Sequence, residues 1–225
     1  MAGWIYIILC TIASVAIAHF FKVTENQKLS TLRVITINYL IAFPTAFLWS
    51  EGRGFPKIFS EELAYPWLLA TLTGFVFIFN FFVYSKSVDR NGVGISIAAM
   101  RISLVVPVLL STLWYMELLT WKQWIGIVLV FLILYLLLPE KKSLLEESSN
   151  AGWLLPVLFV MTAIGDASLK VYEVEFSGLL TKGQFMGLVF LTAFLIGVII
   201  GVFSQIGDLT ESVFKRDAGV KDSSN

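Results

Sequence analysis

Residues 92–139, GVGISIAAMRISLVVPVLLSTLWYMELLTWKQWIGIVLVFLILYLLLP, contain only three charged side chains, Arg101, Glu117 and Lys122. Two apolar runs, near 92–116 and 121–139, flank a short turn at Glu117-Leu118-Leu119-Thr120. Each run is as long as the roughly 17–25 residues an α-helix needs to cross a bilayer. Water does not tolerate two neighbouring runs of this kind. Lipid does, provided each backbone bonds to itself as a helix. Working outward, the same pattern recurs near 4–20, 31–50, 65–84, 152–170 and 184–205. The fold class is therefore all-α, a polytopic membrane helix bundle of seven transmembrane helices.

Composition agrees. Of 225 residues, 57% are apolar and 14% charged, against roughly 25% charged in an average soluble domain. Formal net charge is zero, so the basic field of a nucleic-acid binder is missing and the expected partner is the lipid bilayer. Cys10 is the only cysteine and His19 the only histidine, which excludes an intrachain disulfide and a Cys/His metal cluster. No His-Glu-x-x-His, Gly-x-Ser-x-Gly, P-loop or dinucleotide fingerprint occurs. No enzymatic activity, cofactor or metal is expected.

Local signals mark the span ends. Trp4, Trp49, Trp67, Trp114, Trp121, Trp124 and Trp153 all fall near a proposed end, where the ring is apolar and the indole N–H stays wet. Thr120-Trp121-Lys122-Gln123 and Thr181-Lys182-Gly183-Gln184 read as capping boxes opening the fifth and seventh spans. Asn91-Gly92 marks a turn, and Pro139-Glu140-Lys141-Lys142 stops the fifth span. Ala16-Ile17-Ala18 looks like a signal-peptidase site, but no Lys or Arg precedes it, so the first span is read as retained.

An internal repeat is legible. Gly3-Trp4 and Lys22-Val23-Thr24-Glu25 bracket the first span, as Gly152-Trp153 and Lys170-Val171-Tyr172-Glu173 bracket the sixth. The expected organisation is a five-helix repeat over 1–140, a linker at 141–151, a partial second repeat over 152–205 and a polar tail at 206–225. An odd number of spans turns the second copy upside down, a feature of secondary transporters.

The stretch Tyr84–Leu138 resembles the drug/metabolite transporter superfamily, in particular its EamA-like members. Gly92-Val93-Gly94-Ile95-Ser96-Ile97-Ala98-Ala99-Met100-Arg101 with Pro107, then Glu117-Leu118-Leu119-Thr120 and Gln123-Trp124-Ile125-Gly126, carry that resemblance. Leu32-Arg33 and Gly165-Asp166 with Leu169-Lys170 add to it. The resemblance implies ten helices in two inverted halves with the transport cavity between them. Seven spans are found here, so three are expected to be missing from the second half. Orientation stays open: the resemblance implies a cytoplasmic N-terminus, whereas loop Lys and Arg number ten against five for an external one.

Ionisable groups inside spans cost about 2.5–3.5 kcal/mol each on insertion scales, so each needs a partner or a purpose. Arg101 suits an anionic substrate group or a structural tie to a carbonyl or to Asp166. Asp166 and Lys170 share a helix face and read as a self-neutralising pair or, for Asp166, as a proton or cation carrier. His19 offers a proton relay or an interfacial packing group. Asn38 and Asn80 bond across helices or line a polar cavity. These six residues form the candidate substrate site. Glu117 reads as a turn stabiliser. Pro44 and Pro107 permit kinks, and Gly183-x-x-x-Gly187 and Gly197-x-x-x-Gly201 permit close helix approach.

The leading expectation is a secondary carrier moving small metabolites or drug-like compounds by alternating access, in a bacterial inner membrane. The alternative is an incomplete module that needs a second copy or a partner chain to complete the bundle. A seven-helix receptor is disfavoured by the repeat and the short connections.

Overall fold

The computed structural model describes residues 3–27, 29–48, 50, 61–137 and 152–217. Among these, seven helical spans follow in order. They are α1 (Gly3–Asn26), α2 (Thr31–Leu48), α3 (Ala64–Asn91, entered through a short helical turn at Glu61–Leu63), α4 and α5 (Val93–Ile102 and Val105–Leu113, one broken span), α6 (Trp121–Leu137), α7 (Leu154–Val171, widening into a π-turn at Tyr172–Phe176) and α8 (Lys182–Asp217). Five of these spans are long and apolar enough to cross a membrane: Thr31–Leu48, Glu61–Asn91, Val93–Leu113, Leu154–Phe176 and Lys182–Gly207. In α1 the apolar stretch is Thr11–Thr24. The linker at 141–151, the Pro139 stop and the last residues of the tail lie outside the described residues.

The fourth span breaks where its chemistry requires. Proline at 107 has no N–H to return to the Ser103 carbonyl, and its ring crowds that carbonyl. The carbonyl accepts instead from Val106 N–H at 2.9 Å, and Leu104 N–H bonds Arg101 O at 3.3 Å. The helix therefore tightens and restarts at Ser103–Leu104. Upstream, α3 and α4 are joined by Gly92 alone, at φ +82°. The Ser87 and Ser96 hydroxyls, 2.7 Å apart, staple that hairpin.

The capping box at Thr181 forms in full and that at Thr120 in half. Thr181 N–H donates to Gln184 Oε1 at 3.0 Å and Gln184 N–H to Thr181 Oγ1 at 3.2 Å, satisfying two free donors at the start of α8. Thr120 N–H donates to Gln123 Oε1 at 2.7 Å at the start of α6. α8 runs on past the apolar stretch, staying helical to Asp217 in the polar tail.

α8 packs most extensively along α2, then α3; α7 lies against α3 and the broken span, and α1 against α3. One core joins Ala18, Ile35, Tyr39, Ile78, Tyr84 and Leu158. A second joins Leu63, Ala70, Tyr172, Phe185 and Leu188. Phe77 and Phe190 border both. Trp114, Trp121, Trp124 and Trp153 are exposed near helix ends. Trp67 departs from the belt expectation: it packs on the second core, and its indole N–H is buried with no partner among the described residues. Trp49 lies outside the described residues, as does the Trp4 side chain.

Candidate functional site

Arg101 sits in the last turn of α4, just before the break, and Asp166 sits on α7. The helices bring the two charges together: Asp166 lies within electrostatic reach of the guanidinium and beside the Ser103 side chain. Arg101 Nη2 also donates to Ser14 Oγ of α1 at 2.9 Å. One turn before Asp166 on α7, the Thr162 hydroxyl donates to Asn80 Oδ1 of α3 at 3.2 Å in a buried setting. Four helices thus contribute polar groups to one level of the bundle.

Two cavities meet at this level. The inner one, about 210 Å³, is lined by Ser14, Arg101, Thr162 and Asp166 together with the apolar Phe81, Tyr84 and Met100. The outer one, about 600 Å³, is lined by Pro107, Asp166, Lys170, Tyr172, Glu173 and Lys182 among others. Leu104 and Asp166 line both. The two cavities therefore adjoin at Leu104, in the helix break, and at the Asp166 carboxylate. The smaller cavity thus combines two charged groups, Arg101 and Asp166, with an aromatic wall.

Of the six expected site residues, Arg101, Asp166 and Asn80 come together. Lys170 lines the outer cavity but does not pair with Asp166. Its Nζ binds Glu117 Oε1 and Oε2 at 2.9 and 3.0 Å. The i, i+4 spacing put Lys170 and Asp166 on one helix face, but the turn after α5 supplies a carboxylate closer to the helix end. His19 and Asn38 are exposed on α1 and α2 and line neither cavity. Ser14, Ser103, Leu104 and Thr162 were missed. Thr162 was recoverable from its i, i+4 spacing to Asp166; Ser14 carries no mark in the sequence.

Glu117 is more than a turn residue. It accepts from the Ser111 hydroxyl as well as from Lys170, so it latches the end of the broken span to α7. The Ser111 hydrogen bond, then the Lys170 hydrogen bond, hold its carboxyl below the usual glutamate range. A depressed carboxyl contributes stability above its unfolded pKa and loses it as pH falls through the folded one. The unfolding midpoint of Glu117→Gln is accordingly expected to fall below that of the parent by a constant amount down to about pH 4, with the gap closing under that value. A gap that closes above pH 5 would remove the latch.

The bundle and its polar level define a class, a polytopic helical membrane protein with a solute-sized site between helices. The family follows from similarity. Residues 1–139, more than half of the chain, match the EamA-like transporter family, and the chain belongs to it. Residues 168–225 match the cytidylyltransferase family. An uncharacterized protein of Haemophilus influenzae is 28% identical over 182 residues, covering 79% of this chain and 60% of that protein. This likeness is longer than 1–139 and so includes residues beyond that segment. A phosphatidate cytidylyltransferase of Synechocystis sp. is 64% identical over 33 residues, 15% of this chain and 11% of that enzyme. The chain thus spans less than two thirds of the length of either relative. No solved structure matches it.

Proposed function

We propose that this chain forms the substrate-handling part of a secondary carrier for small amphipathic metabolites or drug-like compounds, working by alternating access in a bacterial inner membrane. One observation carries the reading. Arg101, from the EamA-like segment, and Asp166, from the helix after the linker, line one cavity, and Asp166 lines the adjoining one as well. Alternating access needs a fixed site between two helical units and an element that can move beside it. The break at Ser103–Leu104 is such an element. Arg101 and Asp166 hold the polar end of the solute, with Asn80 and Thr162 behind them. The test is uptake into proteoliposomes of compounds that raise the unfolding midpoint of the purified chain. Saturable uptake is the expected result, and binding without any flux would overturn it.

A second reading has its own support. The share of each relative covered and the cytidylyltransferase-like segment favour a module that transports only with a second copy or partner chain. Flux that appears only when a longer relative is co-reconstituted would select it. We further propose that the chain does not itself transfer cytidylyl groups, since it is similar to that enzyme over only 11% of the enzyme's length. Purified chain with CTP and phosphatidate is expected to release no pyrophosphate above background; sustained release would reverse this assignment.

A further inference from the structure

A third cavity opens between the broken span and α6. It has a volume of about 240 Å³, and its walls include Val105, Val108, Gly126 and Ile127. Arg101 is its single charged lining residue. At Gly126 an added Cβ would meet nothing within 4 Å, so the floor there is open. Its flanks, Leu109 of α5 and Trp124, Ile125 and Val128 of α6, are exposed apolar side chains. In a bilayer these flanks face acyl chains. An apolar groove gives water too few polar partners to hold it. An alkyl chain satisfies it.

Arg101 sets the head. It lies near the middle of a 21-residue span, Val93–Leu113, where Asp166 offsets part of its charge and the donors left over remain to take an oxyanion. A guanidinium carries five donors in a planar fork suited to two oxyanion oxygens. Ser14 takes one donor position. Arg101 and Leu104 line both this groove and the inner cavity, so a head that reaches Arg101 from the bilayer has already reached the polar level.

We propose that the groove between α5 and α6 binds a single-chain amphiphile with an oxyanion head, its chain along Val105, Val108, Gly126 and Ile127 and its head on Arg101. The class of ligand deepens the carrier reading and rests on it for one consequence only, that the substrate arrives sideways from lipid. Binding itself does not depend on transport.

The probe is dodecanoate, with the chain held in phosphatidylcholine nanodiscs. Saturable binding is expected, competed neither by acetate, which has no chain, nor by dodecyltrimethylammonium, which has the wrong charge. Competition by the cation as strong as by dodecanoate would overturn the head assignment. Arg101→Gln is expected to weaken binding about tenfold, the loss of a charged hydrogen bond; unchanged affinity would overturn the same assignment. Gly126→Phe fills the groove and is expected to abolish binding. Should Gly126→Phe fail to insert, a diazirine-bearing dodecanoate on the unaltered chain decides. Label on peptides containing Val105, Val108 and Gly126 supports the groove, and label spread over the exposed face of α1 removes it. A chain that binds dodecanoate yet carries no solute keeps the groove and loses the carrier. A chain that carries solutes while the label lands elsewhere does the reverse.

Discussion

Arg101→Ala is expected to cut any uptake sharply and to lower the unfolding midpoint, and adding Asp166→Asn is expected to restore the midpoint without restoring uptake. The two effects separate because they arise from different groups. Removing the guanidinium deletes the donors to Ser14 and to the solute and leaves the Asp166 carboxylate in the span without its cation. An uncompensated carboxylate in a half-buried setting is destabilising by about 1–3 kcal/mol, less than the full cost of breaking a deeply buried pair. Neutralising Asp166 removes that cost, so a double-mutant cycle is expected to show coupling of about 1 kcal/mol or more. Uptake is not expected to recover, because under the proposed function both charges are needed to hold the polar end of a solute. The loss in uptake is about ten- to a hundredfold for the single variant, the worth of one or two charged hydrogen bonds. Recovery of flux in the double variant would reduce the pair to a structural tie, and normal flux in Arg101→Ala would remove it from the site.

What the sequence could show depended on whether the cause was local. Span positions follow from length and hydropathy, and the Thr181–Gln184 cap from residues three apart; both forms are present. Pro107 announced a kink but not that Leu104 would stand between two cavities, since that depends on where α7 lies. The partner of Lys170 was misjudged for the same reason. Asp166 is near in sequence, whereas Glu117, 53 residues away, is near in space. Asn38 and Asn80 look alike as isolated polar residues in apolar helices. Only packing tells that Asn80 is buried against Thr162 while Asn38 is exposed. The likeness of residues 168–225 to cytidylyltransferases was not read either. The apolar helix Lys182–Gly207 that fills much of that segment resembles any transmembrane helix in composition.

That likeness gives the packing of α8 particular weight, and Gly74→Val tests it with a large expected effect. Gly74 of α3 faces α8 so closely that an added Cβ would sit 2.7 Å from Val189 O and 3.1 Å from Ala193 N. Gly183 of α8 is equally close to α2, 2.7 Å from Ala46 O and 2.9 Å from Ser50 Cα. These neighbours are backbone atoms, which cannot rotate away, so a side chain must push the helices apart. Overpacking costs about 1–3 kcal/mol, sometimes more. Membrane helices depend on close packing, since lipid offers no hydrophobic drive between them. Gly74→Val and Gly183→Leu are each expected to cost about 3 kcal/mol in unfolding followed in detergent. Gly201→Val is the control. It belongs to the second small-residue pair of α8, yet a Cβ there meets nothing within 4 Å, so the change is expected to stay within about 0.5 kcal/mol. The contrast decides whether α8, drawn from the cytidylyltransferase-like segment, is built into the same bundle as the EamA-like helices. If Gly74→Val and Gly201→Val unfold alike, α8 does not seat on α2 and α3, and the outer cavity loses the wall that Lys182 and Phe185 provide.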